Sequence, residues 1–295
     1  MPDFAPVAAA IAAATGTPFA AADARSVGGG SIHSAWMLAD GGRRYFVKLN
    51  ETGALPMFAA EAEGLAALRA VAAVRVPAVV ASGLAPGYAF LVLEHLEMGA
   101  LDRAGGAALG RALAQLHRVT GPHFGWPSDN FIGATPQENR PNAGWAAFYG
   151  RQRLLPQLRR ARANGMERRL VEQGENLAEK VAAFFVEGEP AASLLHGDLW
   201  SGNAAQLADG MPVIFDPAVH YGDREADVAM AELFGGFPEA FYAAYREAWP
   251  LSAAFETRKV LYNLYHVLNH YNLFGAGYLN QARRMIERLN AELRG

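Results

Sequence analysis

The chain has 295 residues, 52% of them hydrophobic and 19% charged. That is enough apolar material for one large domain or two packed lobes, and it excludes a chain dominated by disorder. There is no cysteine, which excludes disulfides, thiolate metal sites and a cysteine nucleophile and suits a reducing cytoplasm; the formal net charge of −3 lacks the basic excess of a general nucleic-acid binder.

Val7 to Ala14 is apolar but too short to cross a bilayer, and Asp3 stands where a signal peptide would be basic. The spacing predicts a short amphipathic helix on a first lobe. No later segment reads as a membrane span. Ser34 to Leu38 and Arg44 to Leu49 read as strands joined at Asp40-Gly41-Gly42. Phe58, Ala62, Leu65, Leu68 and Ala72 recur at helical spacing, with Pro77 after them. Val79-Val80 and Tyr88 to Leu93 read as two further strands around Gly83 to Gly87.

A lobe boundary falls near Glu97 to Gly99. The fold class is α+β and bilobal: a small β-rich lobe over 1–96 and a larger, mainly helical lobe over 97–295. In the second lobe, Leu109, Leu113 and Leu116 share a helix face. Gly121 to Gly144 is rich in Gly, Pro and Asn, and a loop of that length inside a compact domain usually serves function. Arg151 to Arg169 carries seven arginines interleaved with leucines. It reads as an amphipathic helix with a solvated face, or as a contact surface for an acidic partner. A helix through Ala178 to Phe185 follows. A short β segment then surrounds His196 to Asp216, turning at Ala208-Asp209-Gly210, and several helices follow from Asp223.

The strongest chemical signal is Leu195-His196-Gly197-Asp198-Leu199-Trp200-Ser201-Gly202-Asn203, followed by Val213-Ile214-Phe215-Asp216. Asp198 and Asn203 are five apart, and Asp198 and Asp216 are eighteen apart. Phosphoryl transfer needs a carboxylate to orient the attacking hydroxyl and accept its proton, and oxygen ligands to hold Mg²⁺ against the nucleotide phosphates. Asp198 suits the first role, Asn203 and Asp216 the second. Order and Asp-to-Asn spacing match the protein-kinase pattern, with Gly197 in place of an arginine and Asp216-Pro217-Ala218 in place of Asp-Phe-Gly. A rival reading groups His196, Asp198, His220 and Asp223 as a metal-hydrolase cluster, but it leaves Asn203 and the first lobe without a role.

The first lobe then supplies the nucleotide site. Gly28, Gly29 and Gly30 sit where backbone N–H groups can approach phosphates. Lys48, a charge in an otherwise apolar strand, is placed to contact the α/β-phosphates. Glu61 or Glu63 pairs with it, and Glu61 lies nearer the inward helix face. Glu94, His95 and Leu96 end the last strand of this lobe, where the adenine-binding hinge would be.

These strings resemble the fructosamine-3-kinase (ketosamine-3-kinase) family over nearly the whole chain. The resemblance rests on Gly28 to His33, Phe46-Val47-Lys48, Phe90 to His95, Phe124-Gly125-Trp126 and Asp129 to Gly133. It continues through Leu195 to Asn203, Phe215 to Ala218, Tyr221 to Glu225 and Leu268 to Gly275. It implies a protein-kinase-like fold and ATP- and Mg²⁺-dependent phosphorylation of a ketosamine, free or on protein lysine, at its 3-hydroxyl. Because the product is unstable, it also implies protein deglycation. Asp198 is then the base, Lys48 and Glu61 the phosphate-binding pair, and Glu94 to Leu96 the hinge. Trp200 would stack on the sugar or belong to the core. Tyr221 and Asp223 would border the acceptor pocket, unless Asp223 caps the next helix. His266 and His270 share a helix face as packed histidines or substrate contacts. The bare His-x-Asp-x₄-Asn pattern is shared with aminoglycoside and choline kinases, which leaves a kinase of that type as the alternative. A non-catalytic nucleotide-binding module is a third reading.

Overall fold

The computed structural model describes residues 1–28 and 32–294. Its first lobe is organised by two tight turns. Strand β1 (Asp23–Val27) precedes β2 (Ser34–Asp40) and β3 (Arg43–Asn50), and β2 and β3 pair from Ser34↔Leu49 to Asp40↔Arg43. Gly41 and Gly42 both take positive φ, +55° and +88°, which a two-residue hairpin turn of the matching twist requires. Helix α1 (Ala5–Thr15) lies before the sheet and α2 (Leu55–Val71) after β3. Strands β4 (Val79–Ala85) and β5 (Tyr88–Glu94) close the sheet in the order β1-β2-β3-β5-β4. β4 runs straight through Gly83, where an interruption was expected, and the turn is only Pro86-Gly87.

β5 is buried along both faces. Phe90 and Val92 join Val7 and Ile11 of α1 in a small core, while Leu91 and Leu93 join Phe58, Leu65 and Leu68 of α2 in the large one. β1 was not expected from the sequence. Its residues are half-buried to exposed, so the alternation that marks a strand is absent.

The second lobe contains α3 (Arg103–Leu116), the hairpin β6 (Asn130–Ile132) and β7 (Thr135–Gln137), α4 (Trp145–Tyr149), α5 (Leu155–Ala163) and α6 (Arg168–Glu179). The expected loop from Gly121 to Gly144 thus contains a hairpin. The expected single basic helix is a π-helical turn (Gly150–Leu154) followed by α5 and α6, which are separated at Asn164-Gly165. Arg153 does not lie on a solvated face. It is 1% exposed, bonded to Glu138 O and Asn139 Oδ1 and stacked on Phe148.

Strands β8 (Ser193–Leu195), β9 (Ala204–Gln206), β10 (Pro212–Ile214) and β11 (His220–Gly222) form two small antiparallel pairs, β8 with β11 and β9 with β10. Helices α7 (Glu225–Leu233), α8 (Glu239–Ala248), α9 (Phe255–Phe274) and α10 (Leu279–Glu292) complete the lobe. Gly99 already bridges to Gln206, so the chain enters the second lobe within five residues of the end of β5. Among the described residues, no helix is long and apolar enough to cross a membrane.

Candidate active site

β8 and β10 are short, apolar and buried, and each hands its chain to a loop carrying a carboxylate. The β8 loop places Asp198. Asn203 Nδ2 donates to Asp198 O at 2.9 Å and to Asp198 Oδ2 at 3.1 Å, and reaches Asp216 O at 3.5 Å. With its nitrogen turned to Asp198, the Asn203 amide offers Oδ1 on its other side.

Asp216 follows β10 with φ +57°, a left-handed conformation that few non-glycine residues take and that recurs where function fixes the backbone. His196 ties the two loops together. Its Nε2 donates to Phe215 O at 2.9 Å, its Nδ1 accepts from Asp198 N at 3.2 Å, and its carbonyl accepts from Ala218 N at 2.8 Å. Burial lowers the pKa of His196, which keeps the ring in the neutral form those two bonds require.

Lys48 reaches this centre from β3. Its Nζ donates to Glu61 Oε1 at 2.7 Å and to Asp216 Oδ1 at 2.5 Å. Burial works against the ammonium, but Asp216 and Glu61 outweigh it and raise the lysine pKa. Glu63, the other candidate, points elsewhere, to Trp126 and Ser128. Burial, reinforced by the charge of Asp216, pushes the Asp198 carboxyl up to about 7. A carboxylate tuned toward neutrality suits a general base.

The remaining expected residues divide. Glu94 binds Arg75 and the Ala78 N–H through its side chain and donates its own N–H to Ala78 O at 2.8 Å, so neither its side chain nor its N–H is left for a hinge role. His95 and Leu96 follow it half-buried. Gly28 is exposed, and a Cβ there would meet nothing within 4 Å among the described residues. Gly29 and Gly30 lie outside the described residues. Trp200 stands edge-on to Phe234 (6.3 Å), which contacts His270 (4.5 Å), which in turn contacts Phe274 and Tyr278. An aromatic row thus runs outward from the Asp198 loop.

Tyr221 is wedged between Gly121 and Trp126. Asp223 is drawn into the protein. It is 3% exposed, accepts from Tyr262 Oη at 2.5 Å, and accepts from the Glu225 N–H at the start of α7. His196, Asp198, His220 and Asp223 do not converge either, and among the described residues no three His, Asp or Glu side chains form a metal cluster.

Two contributors, Asp227 and Phe234, escaped the sequence reading, and His266, read there as a packed histidine or a substrate contact, joins them at the site. Asp227, 1% exposed on α7, accepts from His196 N (2.7 Å) and Gly197 N (2.9 Å) and is met by His117 Nε2 (3.2 Å). Burial opposes its charge, yet His117 and these contacts hold its pKa low. His266 sits with Nδ1 4.0 Å from Asp198 Oδ1, buried and without a hydrogen-bond partner among the described residues. Phe234 supplies the middle of the aromatic row. A helical acid and an aromatic at a helix end are each ordinary in sequence; only a predicted contact with the Asp198 loop would have singled them out.

A sheet lobe carrying a Lys–Glu pair, set against a helical lobe carrying Asp198, Asn203 and Asp216, defines a phosphotransferase of protein-kinase-like fold. The fold is shared with the aminoglycoside phosphotransferase APH(4)-Ia, which superposes with a TM-score of 0.59 over 91% of this chain and 94% of its own, at 16% identity. The profile of the fructosamine kinase family matches residues 4–292, and the chain belongs to that family.

It is 46% identical to the Synechocystis protein named "Probable ketoamine kinase slr1563" over 95% of each chain. It is also 42% identical to the chloroplastic protein-ribulosamine 3-kinase of Arabidopsis thaliana, covering 89% of this chain and 81% of that one. A crystallised candidate fructosamine-3-kinase from Haemophilus somnus 129PT is 30% identical, with a TM-score of 0.89 and 96% of each chain covered. The protein is an ATP-dependent kinase.

Proposed function

We propose that this protein transfers the γ-phosphoryl group of ATP to the 3-hydroxyl of ketosamines, the adducts of ribulose, erythrulose or fructose with amines and protein lysines. The 3-phosphorylated adduct breaks down, so the reaction serves deglycation, and the composition suits the cytoplasm as its place. The observation that carries the reading is the Lys48–Glu61–Asp216 chain meeting Asp198 and Asn203 in a member of the fructosamine kinase family.

Asp198 orients the acceptor hydroxyl and takes its proton as the oxygen bonds to phosphorus and the bond to ADP breaks. Lys48, fixed by Glu61, holds the α/β-phosphates. The Asn203 amide oxygen and the half-exposed Asp216 carboxylate form a hard oxygen donor set that fits Mg²⁺, which would neutralise charge between the β- and γ-phosphates. The backbone of Glu94 to Leu96 receives adenine, and Gly28 to Gly30 border the phosphates. Trp200 and His270 line the acceptor side, Trp200 against the sugar's apolar face, with Tyr221 at its edge.

The test incubates the protein with ATP, Mg²⁺ and a panel of ribulose-, erythrulose- and fructose-amine adducts beside aminoglycosides and choline. Phosphorylation of a ketosamine at O3 is expected. Turnover of an aminoglycoside or choline far above every ketosamine would replace this reading with a kinase of that type.

A further inference from the structure

α2 carries Glu61, and Glu61 fixes Lys48, so the position of α2 relative to the second lobe determines whether the phosphate-binding pair faces Asp216. Two residues beyond Glu61, Glu63 leaves the first lobe altogether. Its Oε1 accepts from Trp126 Nε1 at 2.8 Å and its Oε2 from Ser128 Oγ at 2.9 Å. One carboxylate thus grips two donors on the loop that precedes β6.

That loop is itself anchored beside Asp216. Asn130 Nδ2 donates to Val219 O at 2.8 Å, and Gln137 Nε2 donates to Asn130 Oδ1 at 2.7 Å and reaches Ala218 O at 3.4 Å. Asn139 Nδ2 also donates to Asn130 Oδ1, at 2.9 Å. The buried Arg153 and Tyr265 close the network from behind, through Asn139 Oδ1 and Gln137 Oε1.

α2 also lies directly on the segment after Asp216. A Cβ at Gly64 would come within 3.0 Å of Val219 and 3.3 Å of Pro217. Just past the C-terminal end of α2, Arg75 pairs with β10, through Ile214 N to Arg75 O at 3.0 Å and Arg75 N to Pro212 O at 3.2 Å.

We propose that the 121–139 loop is a brace between α2 and the Asp216 segment, and that Glu63, Trp126 and Ser128 are positioning residues holding Glu61 and Lys48 in the phosphate-binding arrangement without any activating modification. The proposal rests on the kinase reading above. The two bonds are the only side-chain hydrogen bonds from α2 to the loop among the described residues, and they lie at its open surface. Loss of either therefore loosens the tie between α2 and the loop without emptying a core. The carboxylate needs both donors, so breaking one bond leaves the other a single pivot.

The test uses the full chain with Glu63→Ala, Trp126→Phe and the double variant. Trp126→Phe removes the indole donor and keeps a ring against Tyr221. The readouts are kcat and KM for ATP, Mg-ATP affinity without acceptor, amide exchange over 55–71, and Tm. Each single variant is expected to lower kcat/KM for ATP roughly five- to twenty-fold and to speed exchange in 55–71 without acceptor present. Tm should move by no more than about 2 °C, since exposed pairs add little global stability. The double variant should be no worse than Glu63→Ala, because the two residues share one interaction, and Glu63→Gln, which keeps one acceptor, should recover part of the loss. Unchanged ATP kinetics, additive losses, or faster exchange across the whole chain with a matching fall in Tm would each overturn the proposal. Mg-ATP affinity and exchange are read without a ketosamine, so failure of the acceptor panel and failure of the brace remain distinguishable.

Discussion

Gly197 occupies the place of the arginine in the protein-kinase pattern, and its geometry predicts that Gly197→Ala is severe. Its φ is +83°, and a Cβ there would lie 2.0 Å from Ala218 O, a backbone atom that cannot swing aside as a side chain would. The left-handed conformation alone costs an alanine about 1–2 kcal/mol. Relieving the contact means separating the Asp198 loop from the Asp216 segment, which breaks the 2.8 Å bond from Ala218 N to His196 O. That bond is worth about 1 kcal/mol. It also strains the 2.9 Å bond from Gly197 N to Asp227. The sum is about 2–4 kcal/mol of stability. Activity should suffer more, because a displacement of roughly 1 Å between reacting groups costs on the order of a hundred-fold in rate. Urea unfolding and kcat of the purified variant measure the two effects separately. An alanine variant with kcat within two-fold of wild type and an unchanged unfolding midpoint would refute the argument that glycine is required for the two loops to touch.

Asp198→Asn should remove turnover while leaving Mg-ATP binding largely intact. It should also be more stable than wild type at pH 8, with the advantage shrinking as pH falls below 7 and vanishing only below about pH 4. The sign follows from a folded-state pKa of about 7 against 3.8 unfolded: the native state binds this proton more tightly, so the group's favourable contribution is present below about 4 and lost as pH rises through 7. Thermal melts of both forms across that range, without metal, read this directly, and parallel curves would contradict it. The same shift predicts that metal-free Asp198 is a progressively poorer base below neutral pH. Asp227→Asn replaces one of two acceptor oxygens serving the His196 and Gly197 N–H groups by a donor. A loss of about 2–3 kcal/mol in urea unfolding is expected from leaving a buried N–H unpaired beside a charge-assisted bond. Trp200→Ala should raise KM for a ketosamine at least several-fold with KM for ATP unchanged; an equal effect on both would place the indole in the core rather than on the acceptor side.

What the sequence made legible is what local chemistry encodes. The Gly41-Gly42 turn declares its hairpin because the twist of paired strands needs positive φ at those positions. Asp198, Asn203 and Asp216 announce phosphoryl chemistry because three polar groups stand at fixed spacing, the two aspartates just past apolar, buried strands. Lys48 stands out for the same reason, a charge on a strand with no local use for one. What stayed hidden depends on partners far along the chain. Glu63 looks like a solvated helical acid until Trp126, 63 residues later, supplies its donor. Arg153 belongs by pattern to a basic surface, and only the carbonyl of Glu138, the amide of Asn139 and the ring of Phe148 make its burial tolerable. Asp223 reads equally as a cap or as a pocket acid because both uses put an acid just before a helix, and its bond to the hydroxyl of Tyr262, 39 residues away, leaves no local trace in the sequence. The chemistry of this kinase is therefore written locally, in strand ends and their loops, while the alignment of its two lobes is written in single carboxylates whose meaning appears only when the chain closes on them.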